Sequence, residues 1–468
     1  MASLFLSAAH KSSGKTTLSI GLCAALVKRG LDVQPFKKGP DYIDPIWLGM
    51  AAGKPCYNLD FFVAGRQETI DDYCYRVQAA DICLIEGNKG LHDGLDLDGS
   101  NSNAALAKAL QTPVIMVVDA RGTMRGIAPL LIGYQVFDEA VNIAGVIANM
   151  TGGKRHESKL RAAVEEYTDI PFLGAVENDA SIGLNERHLG LIPGYEDPDS
   201  RQKINTIAGA VSDSVDLDKL IEIAQQAIPV KPATSPLLRK PEFSDLRIGI
   251  AQDSAFGFYY PGDLEAFRQA GAQLVSIDTT RDQSLPAIDG LFIGGGFPER
   301  HAATLTANSA MRDSIRTAIE AGLPTYAECG GLMYLSKGLT WNETCYDMVG
   351  VLDAKSVMHE KPQGRGYVKL GEIEGQHPWT FQRQPGNNLH AHEFHYSALQ
   401  GLPEDAVFAY QVLRGKGIQQ QHDGFVYKNL LASYTHLRDT AANPWVKRFL
   451  HFVQLNKASP VTDVANAL

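Results

Sequence analysis

The chain has little of what marks a secreted or membrane-spanning protein. Its 468 residues include only six cysteines, and no two of them form a CxxC pair, which argues against a disulfide framework or a zinc ribbon. No uninterrupted apolar run approaches the roughly 18 residues that a membrane span needs. The first residues lack the basic segment of a signal peptide and are typical of a strand. These absences predict a cytoplasmic protein in a reducing compartment, with no membrane partner.

A strongly basic surface is also missing. The chain has 43 Lys and Arg against 53 Asp and Glu, a net charge of -10, and no run of basic residues. This balance argues against nucleic acid as a partner, although a local basic pocket for a small anionic substrate stays compatible with it. An apolar content of 44% and a charged content of 21% are ordinary for globular α/β proteins.

Two series of apolar strands alternate with helices along the chain. In the first series, strands are predicted at 3–9, 31–36, 82–86, 114–119 and 143–149, with a helix at about 15–29. Such alternation predicts a parallel sheet with helices on both faces. A proline-rich, weakly apolar stretch then precedes a second α/β series that starts at Arg247. We therefore predict a domain at 1–228, a linker at 229–245, a second domain at 246–457 and a loose tail at 458–468.

A phosphate-binding loop is predicted directly after the first strand. The stretch Ser12-Ser13-Gly14-Lys15-Thr16-Thr17 fits the end of the pattern G-x-x-x-x-G-K-[ST], but Ala9 stands where the first glycine belongs. Backbone N–H groups at the start of the helix would bind phosphate, Lys15 would reach the outer phosphates, and the Thr16 hydroxyl would ligate Mg²⁺. The alternative is a small-residue turn with an incidental lysine. The predicted ATP-binding residues are Gly14, Lys15, Thr16 and Thr17.

Charged residues follow the neighbouring strands of this predicted sheet. The carboxyl ends of parallel strands meet at one crevice, where ligands bind, and Mg²⁺ prefers oxygen ligands. A carboxylate at a strand end can also be a simple cap or turn residue. We predict a Mg²⁺ site formed by Thr16, Asp41 and Glu86. Four further residues are predicted to bind substrate or assist phosphoryl transfer: Lys37, Lys38, Asp44 and Asp93.

A nucleophilic cysteine is predicted in the second half. Cys329 lies between an apolar strand and an apolar helix and is followed by two glycines, which is the layout of a nucleophile elbow. The start of a helix lowers the pKa of a thiol, and the N–H groups of Gly330 and Gly295 could stabilise an oxyanion. The alternative is a buried structural cysteine.

Histidines in the second half offer a base for this thiol. His436 ends the apolar stretch 430–436, so we predict a catalytic pair of Cys329 and His436. Residue 438 is arginine, so the glutamate that would complete a triad two residues after the base is absent. His392 and His395 alternate as on a strand. A metal site there lacks a third clustered ligand, so a structural or substrate-facing role is expected.

Together these motifs resemble the cobyrinic acid a,c-diamide synthase family over nearly the whole chain. The matching segments in the first half are Ser13-Gly-Lys-Thr-Thr, Lys38-Gly-Pro-Asp-Tyr-Ile-Asp-Pro, Asn58-Leu-Asp60 and Glu86-Gly…Gly90-Leu…Asp93-Gly94. Those in the second half are Gly294-Gly-Gly-Phe-Pro-Glu, Cys329-Gly-Gly-Leu-Met-Tyr, His392-Glu-Phe-His-Tyr-Ser and Ser433-Tyr-Thr-His436. The resemblance implies an N-terminal domain similar to dethiobiotin synthetase and a C-terminal class I glutamine amidotransferase domain.

The resemblance also implies a reaction. The thiol would release ammonia from L-glutamine, ATP would phosphorylate a peripheral carboxylate of a tetrapyrrole, and ammonia would displace the phosphate to leave an amide. A homodimer is expected on the same grounds. Asp41, Glu86 and Asp93 would belong to the ATP, metal and substrate end.

Two segments depart from the usual family pattern, and the exact tetrapyrrole therefore stays open. Asn88-Lys89 and His92 replace apolar and aromatic residues, and His390-Ala391 stands where Arg-Gly is common. A relative that amidates sirohaem or nickel-sirohydrochlorin fits these departures. Two other classes also stay open: a partition-type P-loop ATPase with a protein-binding module, and a simple thiol hydrolase, which would leave Gly14-Lys15-Thr16 unexplained.

Overall fold

The computed structural model describes residues 2–187, 190–233, 241–381 and 388–457. The chain divides into two compact units, Met1–Leu237 and Leu238–Leu468. The predicted tail at 458–468 and residues 234–240 of the predicted linker lie outside the described residues.

A parallel sheet forms the centre of the first unit. Within the described residues it has seven strands in the order β3-β2-β4-β1-β5-β6-β7, and every neighbouring pair is parallel. The strands are β1 Ala2–Ala8, β2 Val33–Lys38, β3 Tyr57–Leu59, β4 Ile82–Glu86, β5 Val114–Asp119, β6 Ile143–Thr151 and β7 Phe172–Glu177. All five residues of β4 are buried, as expected for a strand covered on both faces. The predicted parallel α/β architecture is confirmed.

Helices connect these strands. They are α1 Lys15–Lys28, α2 Ile43–Ala52, α3 Arg66–Arg76, α4 Asn103–Leu110, α5 Ile127–Phe137, α6 Lys154–Tyr167, α7 Ser200–Ser214 and α8 Leu217–Ala224, and a short hairpin of β8 Glu186–Arg187 and β9 Gly190–Leu191 lies between α6 and α7. Helix α1 is followed by Gly30 at a φ of 86°, a backbone conformation that glycine adopts without strain.

The register of three strands brings the predicted ATP site together. Leu6 of β1 pairs with Glu86 of β4, and Lys37 of β2 pairs with the same glutamate. Their carboxyl ends therefore meet at one edge of the sheet, next to the loop that connects β1 to α1.

The second unit is built on a mixed sheet. Within the described residues it has nine strands in the order β12-β10-β13-β15-β24-β23-β22-β19-β20. The first five strands are parallel, and the rest pair antiparallel. The strands are β10 Arg247–Ala251, β12 Gln273–Ile277, β13 Gly290–Ile293, β15 Thr325–Glu328, β19 Gly364–Glu372, β20 Leu389–His395, β22 Val407–Arg414, β23 His422–Tyr427 and β24 Leu430–Ser433.

Smaller sheets and helices complete this unit. One sheet pairs β11 Phe256–Phe258 with β14 Gly295–Gly296, and another contains β16 Ser336–Trp341, β17 Thr344–Asp347, β18 Leu352–Met358 and β21 Ser397–Gln400. The helices are α9 Pro261–Gln269, α10 Ala302–Ala307, α11 Ser309–Glu320, α12 Gly330–Leu335 and α13 Trp445–Asn456. A helix suited to crossing a lipid bilayer is absent from the part of the chain that the structure describes.

Candidate functional site

The loop between β1 and α1 has the backbone form of a phosphate-binding loop. Gly14 has a φ of 78°, and a Cβ atom added there would lie 2.1 Å from Nδ2 of Asn149. Only glycine therefore fits this position. The same Nδ2 atom donates a hydrogen bond to the carbonyl of Ser13 at 2.9 Å, so the end of β6 holds the loop in place. The carbonyl of Ala9, in the unusual first position, accepts a hydrogen bond of 2.6 Å from the Tyr134 hydroxyl.

Lys15 is a buried cation without a partner among the residues that the structure describes. Its residue exposure is 6%, and its ammonium has no hydrogen bond or ion pair with any of the described residues. Burial lowers its pKa, although the charge of Glu86 opposes the change. An anionic oxygen would give this ammonium the partner it lacks, as the outer phosphates of a nucleotide would.

Thr16 and two carboxylates meet at the start of α1. The Thr16 hydroxyl lies 2.7 Å from Oε1 of Glu86 and 3.2 Å from Oδ2 of Asp44. The Lys37 ammonium lies 2.9 Å from the same Glu86 oxygen and 2.5 Å from the same Asp44 oxygen. The other oxygen of Glu86 is buried, and no described residue forms a hydrogen bond with it. A hydroxyl, two carboxylates and an unsatisfied carboxylate oxygen are the chemistry that suits Mg²⁺.

Asp41 does not occupy the position predicted for it. The sequence analysis placed this carboxylate beside Thr16, but the structure brings Asp44 there. Oδ1 of Asp41 instead accepts hydrogen bonds from the backbone N–H groups of Ile43 and Asp44, at 2.9 and 3.2 Å, at the start of α2. Burial and the nearby Asp44 carboxylate raise the pKa of Asp41, while Lys37, 3.8 Å away, opposes that change.

Lys38 and Asp93 lie on the side of the loop that follows β4. The Lys38 ammonium is buried and donates to the carbonyl of Asn101 at 2.8 Å, and burial lowers its pKa to about 8. Asp93 accepts a hydrogen bond of 3.1 Å from the N–H of Gly90, and its charge is near enough to Lys15 to favour the ammonium form. Asp93 therefore lies near Lys15, whereas Lys38 is bound to the loop that follows β4.

Cys329 occupies a strained turn between β15 and α12. Its φ of 48° and ψ of -99° are unusual for a residue with a side chain, and its N–H donates to the carbonyl of Ser433 at 2.7 Å. Two residues later, a Cβ atom at Gly331 would lie 2.2 Å from the carbonyl oxygen of Ile293. The turn can therefore form only because this position is glycine. This turn places the thiol of Cys329 at the beginning of α12.

His436 lies beside this thiol. Burial lowers the pKa of His436, but its hydrogen bond with Cys329 and the charge of Glu328 outweigh burial and raise the pKa to about 10. The imidazole is therefore suited to carrying a proton next to a thiolate.

The two glycines predicted to stabilise an oxyanion lie around the same pair. A Cβ atom at Gly295 would be 2.7 Å from Cε1 of His436, so this glycine leaves room for the imidazole. Gly330 is the first residue of α12, and the first N–H groups of a helix have no partner within it. The structure thus gathers Cys329, His436, Gly295 and Gly330 at one place.

Glu328 is a site residue that the sequence analysis missed. Its Oε2 lies 3.3 Å from Nδ1 of His436, and the carboxylate is buried. The sequence prediction of a Cys329 and His436 pair considered an acid only two residues after the histidine, whereas this carboxylate directly precedes the cysteine. The alternation of Tyr326 and Glu328 along β15 was the available signal, because it places both on one face of the strand.

His392 and His395 have separate surroundings. His392 stacks on His436 with ring centroids 4.9 Å apart, and its Nδ1 lies 3.2 Å from the Tyr260 hydroxyl. His395 stacks on Tyr434, and its Nδ1 lies 2.7 Å from the carbonyl of Ser397. No group of three or more His, Cys, Asp or Glu suited to a metal ion occurs among the residues with described positions.

Comparisons with known proteins identify the family of this chain. Residues 7–191 match the family described as CobQ/CobB/MinD/ParA nucleotide binding domain, and residues 247–443 match the CobB/CobQ-like glutamine amidotransferase domain. The cobyrinate a,c-diamide synthase of Magnetococcus marinus is 46% identical over 454 residues, with 96% of each chain covered. The chain belongs to the cobyrinate a,c-diamide synthase family.

Further members of the cobyrinate a,c-diamide synthase family match over a similar span. The synthase of Methanosarcina acetivorans is 40% identical, with 94% of this chain and 92% of the relative covered. That of Methanosarcina barkeri is 39% identical, with 94% and 93% covered. The predicted membership is confirmed, and so is the prediction that the protein is an enzyme, a ligase of the glutamine amidotransferase type. The nucleotide-binding family match supports the use of ATP by the first unit.

Proposed function

We propose that this enzyme converts peripheral carboxylates of a tetrapyrrole into amides, using ATP and L-glutamine and passing through an acyl phosphate. The observation that carries the proposal is the presence of a nucleophilic thiol site and a phosphate-binding loop in one chain. Cobyrinate, the substrate in the names of the relatives, is the proposed tetrapyrrole. A carboxylate is a poor electrophile until its oxygen becomes part of a phosphate leaving group, which is why the ligase needs both activities.

The second unit would supply ammonia. The Cys329 thiolate attacks the carboxamide carbon of glutamine, and the N–H groups of Gly330 and Gly295 stabilise the oxyanion. His436 gives its proton to the departing amine, so ammonia and a thioester form. Water, deprotonated by His436, then attacks the thioester carbon. Glutamate leaves and the thiolate returns.

The first unit would use ATP to activate the substrate. A substrate carboxylate oxygen attacks the γ-phosphorus, the bond to ADP breaks, and an acyl phosphate forms. Lys15 would stabilise the charge on the transferred phosphoryl group, and Lys37 and Lys38 would offset charge on phosphate or substrate. Thr16, Asp44 and Glu86 would hold Mg²⁺, which offsets phosphate charge when bound. Ammonia then attacks the acyl carbon, phosphate leaves, and a proton is lost to give the amide.

Product mass tests this proposal directly. The protein is incubated with ATP, glutamine and, in separate reactions, cobyrinate, sirohaem and nickel-sirohydrochlorin. Each conversion of a carboxyl group to an amide replaces OH by NH₂ and lowers the mass by about one dalton, so the number of amides and the substrate are read together. Amidation of cobyrinate is expected. If only sirohaem or nickel-sirohydrochlorin is amidated, the proposed reaction stands but cobyrinate is not the substrate. If none of the three is amidated, the proposed function is contradicted.

The variant Cys329→Ser tests whether the second unit releases ammonia while the first unit activates the substrate with ATP. This variant is expected to lose activity with glutamine yet keep activity with free ammonia, because the phosphate-binding loop and its carboxylates are unchanged. Equal loss with both nitrogen donors would contradict it. A partition-type ATPase with a protein-binding module would instead tolerate loss of the thiol in every assay.

A further inference from the structure

We infer that Glu328 is the acidic partner that positions His436, and that it takes the place of the acid missing from position 438. The inference rests on the proposed role of Cys329 as the glutamine nucleophile. It assigns a function to a residue that does not touch the substrate and acts through the imidazole.

The two oxygens of the Glu328 carboxylate have different partners. Oε1 accepts a hydrogen bond of 2.6 Å from the Tyr326 hydroxyl and one of 2.8 Å from the N–H of Leu437. Oε2 lies 3.3 Å from Nδ1 of His436. The donors on one oxygen therefore fix the carboxylate while the other oxygen faces the imidazole. Because Leu437 directly follows His436, the same carboxylate holds both the backbone and the side chain of this segment.

Position 438 holds a side chain of opposite charge with a different neighbour. The guanidinium of Arg438 lies 5.6 Å from the centre of the Tyr260 ring, a cation–π arrangement. An arginine cannot accept the Nδ1 proton of an imidazole, because its guanidinium has donors only. The buried carboxylate at Nδ1 is instead the one at residue 328, which is 2% exposed.

A carboxylate at Nδ1 would do two things for the reaction. It keeps the proton on Nδ1, which leaves Nε2 to exchange a proton with the thiol and the amine. It also stabilises the imidazolium that forms when the thiol loses its proton. The described titratable groups that face His436 are Glu328 at the end of β15, Cys329 in the turn that follows, and His392 from β20. Burial and the neighbouring His436 lower the pKa of His392, so His392 stays neutral and adds no competing charge.

The test compares Glu328→Gln with wild type in glutamine hydrolysis across pH. The amide keeps the size of the side chain and an acceptor for Tyr326 and Leu437, but it removes the negative charge from Nδ1. We expect kcat/KM for glutamine to fall by about ten- to a hundredfold, since a positioned base contributes about 10²–10⁴-fold in rate. We also expect the alkaline limb of the pH profile to move to lower pH, because His436 loses its proton more easily. Activity with free ammonia should be unchanged.

Two further variants make the result specific. Glu328→Asp keeps the charge and is expected to keep the alkaline limb near that of wild type at a reduced rate. Glu393→Gln is the matched control, since Glu393 is another buried carboxylate of this unit and accepts the N–H groups of Lys416 and Gly417. It should leave the pH profile unchanged.

The inference is overturned if Glu328→Gln keeps the wild-type rate and pH profile, or if Glu328→Asp moves the alkaline limb as far as Glu328→Gln does. Cys329→Ser, measured alongside, separates this failure from that of the proposed function. If Cys329→Ser retains glutamine-dependent activity, the thiol is not the nucleophile. If that activity is lost and Glu328→Gln is unaffected, only the role of Glu328 fails.

Discussion

At the residue scale, burial lowers the pKa of both charged groups nearest the chemistry, Lys15 and His436, but at His436 the neighbouring groups outweigh it. Lys15 has no hydrogen bond or ion pair with the described residues, and burial lowers its pKa. His436 has a thiol and a carboxylate beside it, and its pKa is raised to about 10 in spite of burial. Lys15 is therefore available to pair with an anionic group of a bound nucleotide. His436 already has the Glu328 carboxylate beside it.

The raised pKa of His436 predicts how stability depends on pH. The unfolded value is about 6.5, so the protonated imidazole stabilises the fold fully below about pH 6.5. This contribution is lost as the pH rises through about 10, where the folded group loses its proton. The melting temperature of wild type should therefore exceed that of His436→Gln most at low pH, and the difference should shrink up to about pH 10. Thermal melts of both proteins across this range provide the measurement.

A difference between wild type and His436→Gln that stays constant with pH would count against a raised pKa.

Single residues also show which parts of the candidate sites could be predicted from the sequence and which could not. Gly14, Lys15 and Thr16 could be predicted because a phosphate-binding loop depends on neighbours in the chain. Asp41 and Asp44 could not be told apart, because the turn before α2 decides which carboxylate faces Thr16 and which binds backbone N–H groups. Glu328 was missed because its partnership with His436 depends on the pairing of two distant strands.

At the scale of elements, the turn from β15 into α12 is the most tightly constrained piece of the second unit. Gly331→Ala would bring a Cβ atom to 2.2 Å from the carbonyl oxygen of Ile293, and a backbone atom of a central strand cannot move aside. We expect a loss of stability of about 1–3 kcal/mol, as for overpacked interiors. Glutamine-dependent activity should fall with it, because the turn carries Cys329. Thermal melts and glutamine hydrolysis measure the two effects.

A glycine in an open place supplies the comparison. Gly209 lies inside α7, and an added Cβ atom would meet nothing within 4 Å. Gly209→Ala should stabilise the protein by about 0.5–1 kcal/mol, because alanine favours a helix interior. If Gly331→Ala behaved in the same way, the account of the turn would be wrong.

Elements also differ in how far their sequence predicts them. Strands β4 and β5 begin and end at the predicted residues, since a short apolar run that ends in an acid is a clear signal for a buried parallel strand. The antiparallel part of the second sheet, β20, β19, β22 and β23, was not predicted. Its order depends on pairing partners far apart in the chain, which a local pattern does not contain.

At the scale of the whole molecule, the residues of each candidate site come from a single unit, so the two half-reactions should be separable by mutation. Lys15→Met is expected to abolish ATP-dependent amidation with either glutamine or ammonia, because the outer phosphates lose their cation. Thiol alkylation of Cys329 by 6-diazo-5-oxo-L-norleucine should continue. The melting temperature should not fall, since the substitution removes a buried ammonium that has no hydrogen bond or ion pair within the described parts of the chain. Amidation assays, mass spectrometry of the alkylated protein and thermal melts test these three outcomes.

The matched change in the same unit is Lys219→Met, at an exposed lysine of α8. It should leave amidation, alkylation and melting close to wild type. Retained amidation in Lys15→Met, or loss of alkylation together with amidation, would contradict the separation of the two activities.

The adjacency of Glu328 and Cys329 has a consequence for how the thiol site assembles during folding. One peptide bond separates the acid from the nucleophile, so covalent geometry sets their spacing, with about 3.8 Å between the two Cα atoms. His436 is then the remaining group that must be brought to Glu328 and Cys329 from a distant part of the chain. The pairing of β15 with β24 does this, because Glu328 pairs with Ser433, three residues before His436. A site drawn from three remote segments needs two such pairings. Here the pairing of two strands brings the carboxylate of Glu328, the thiol of Cys329 and the imidazole of His436 together.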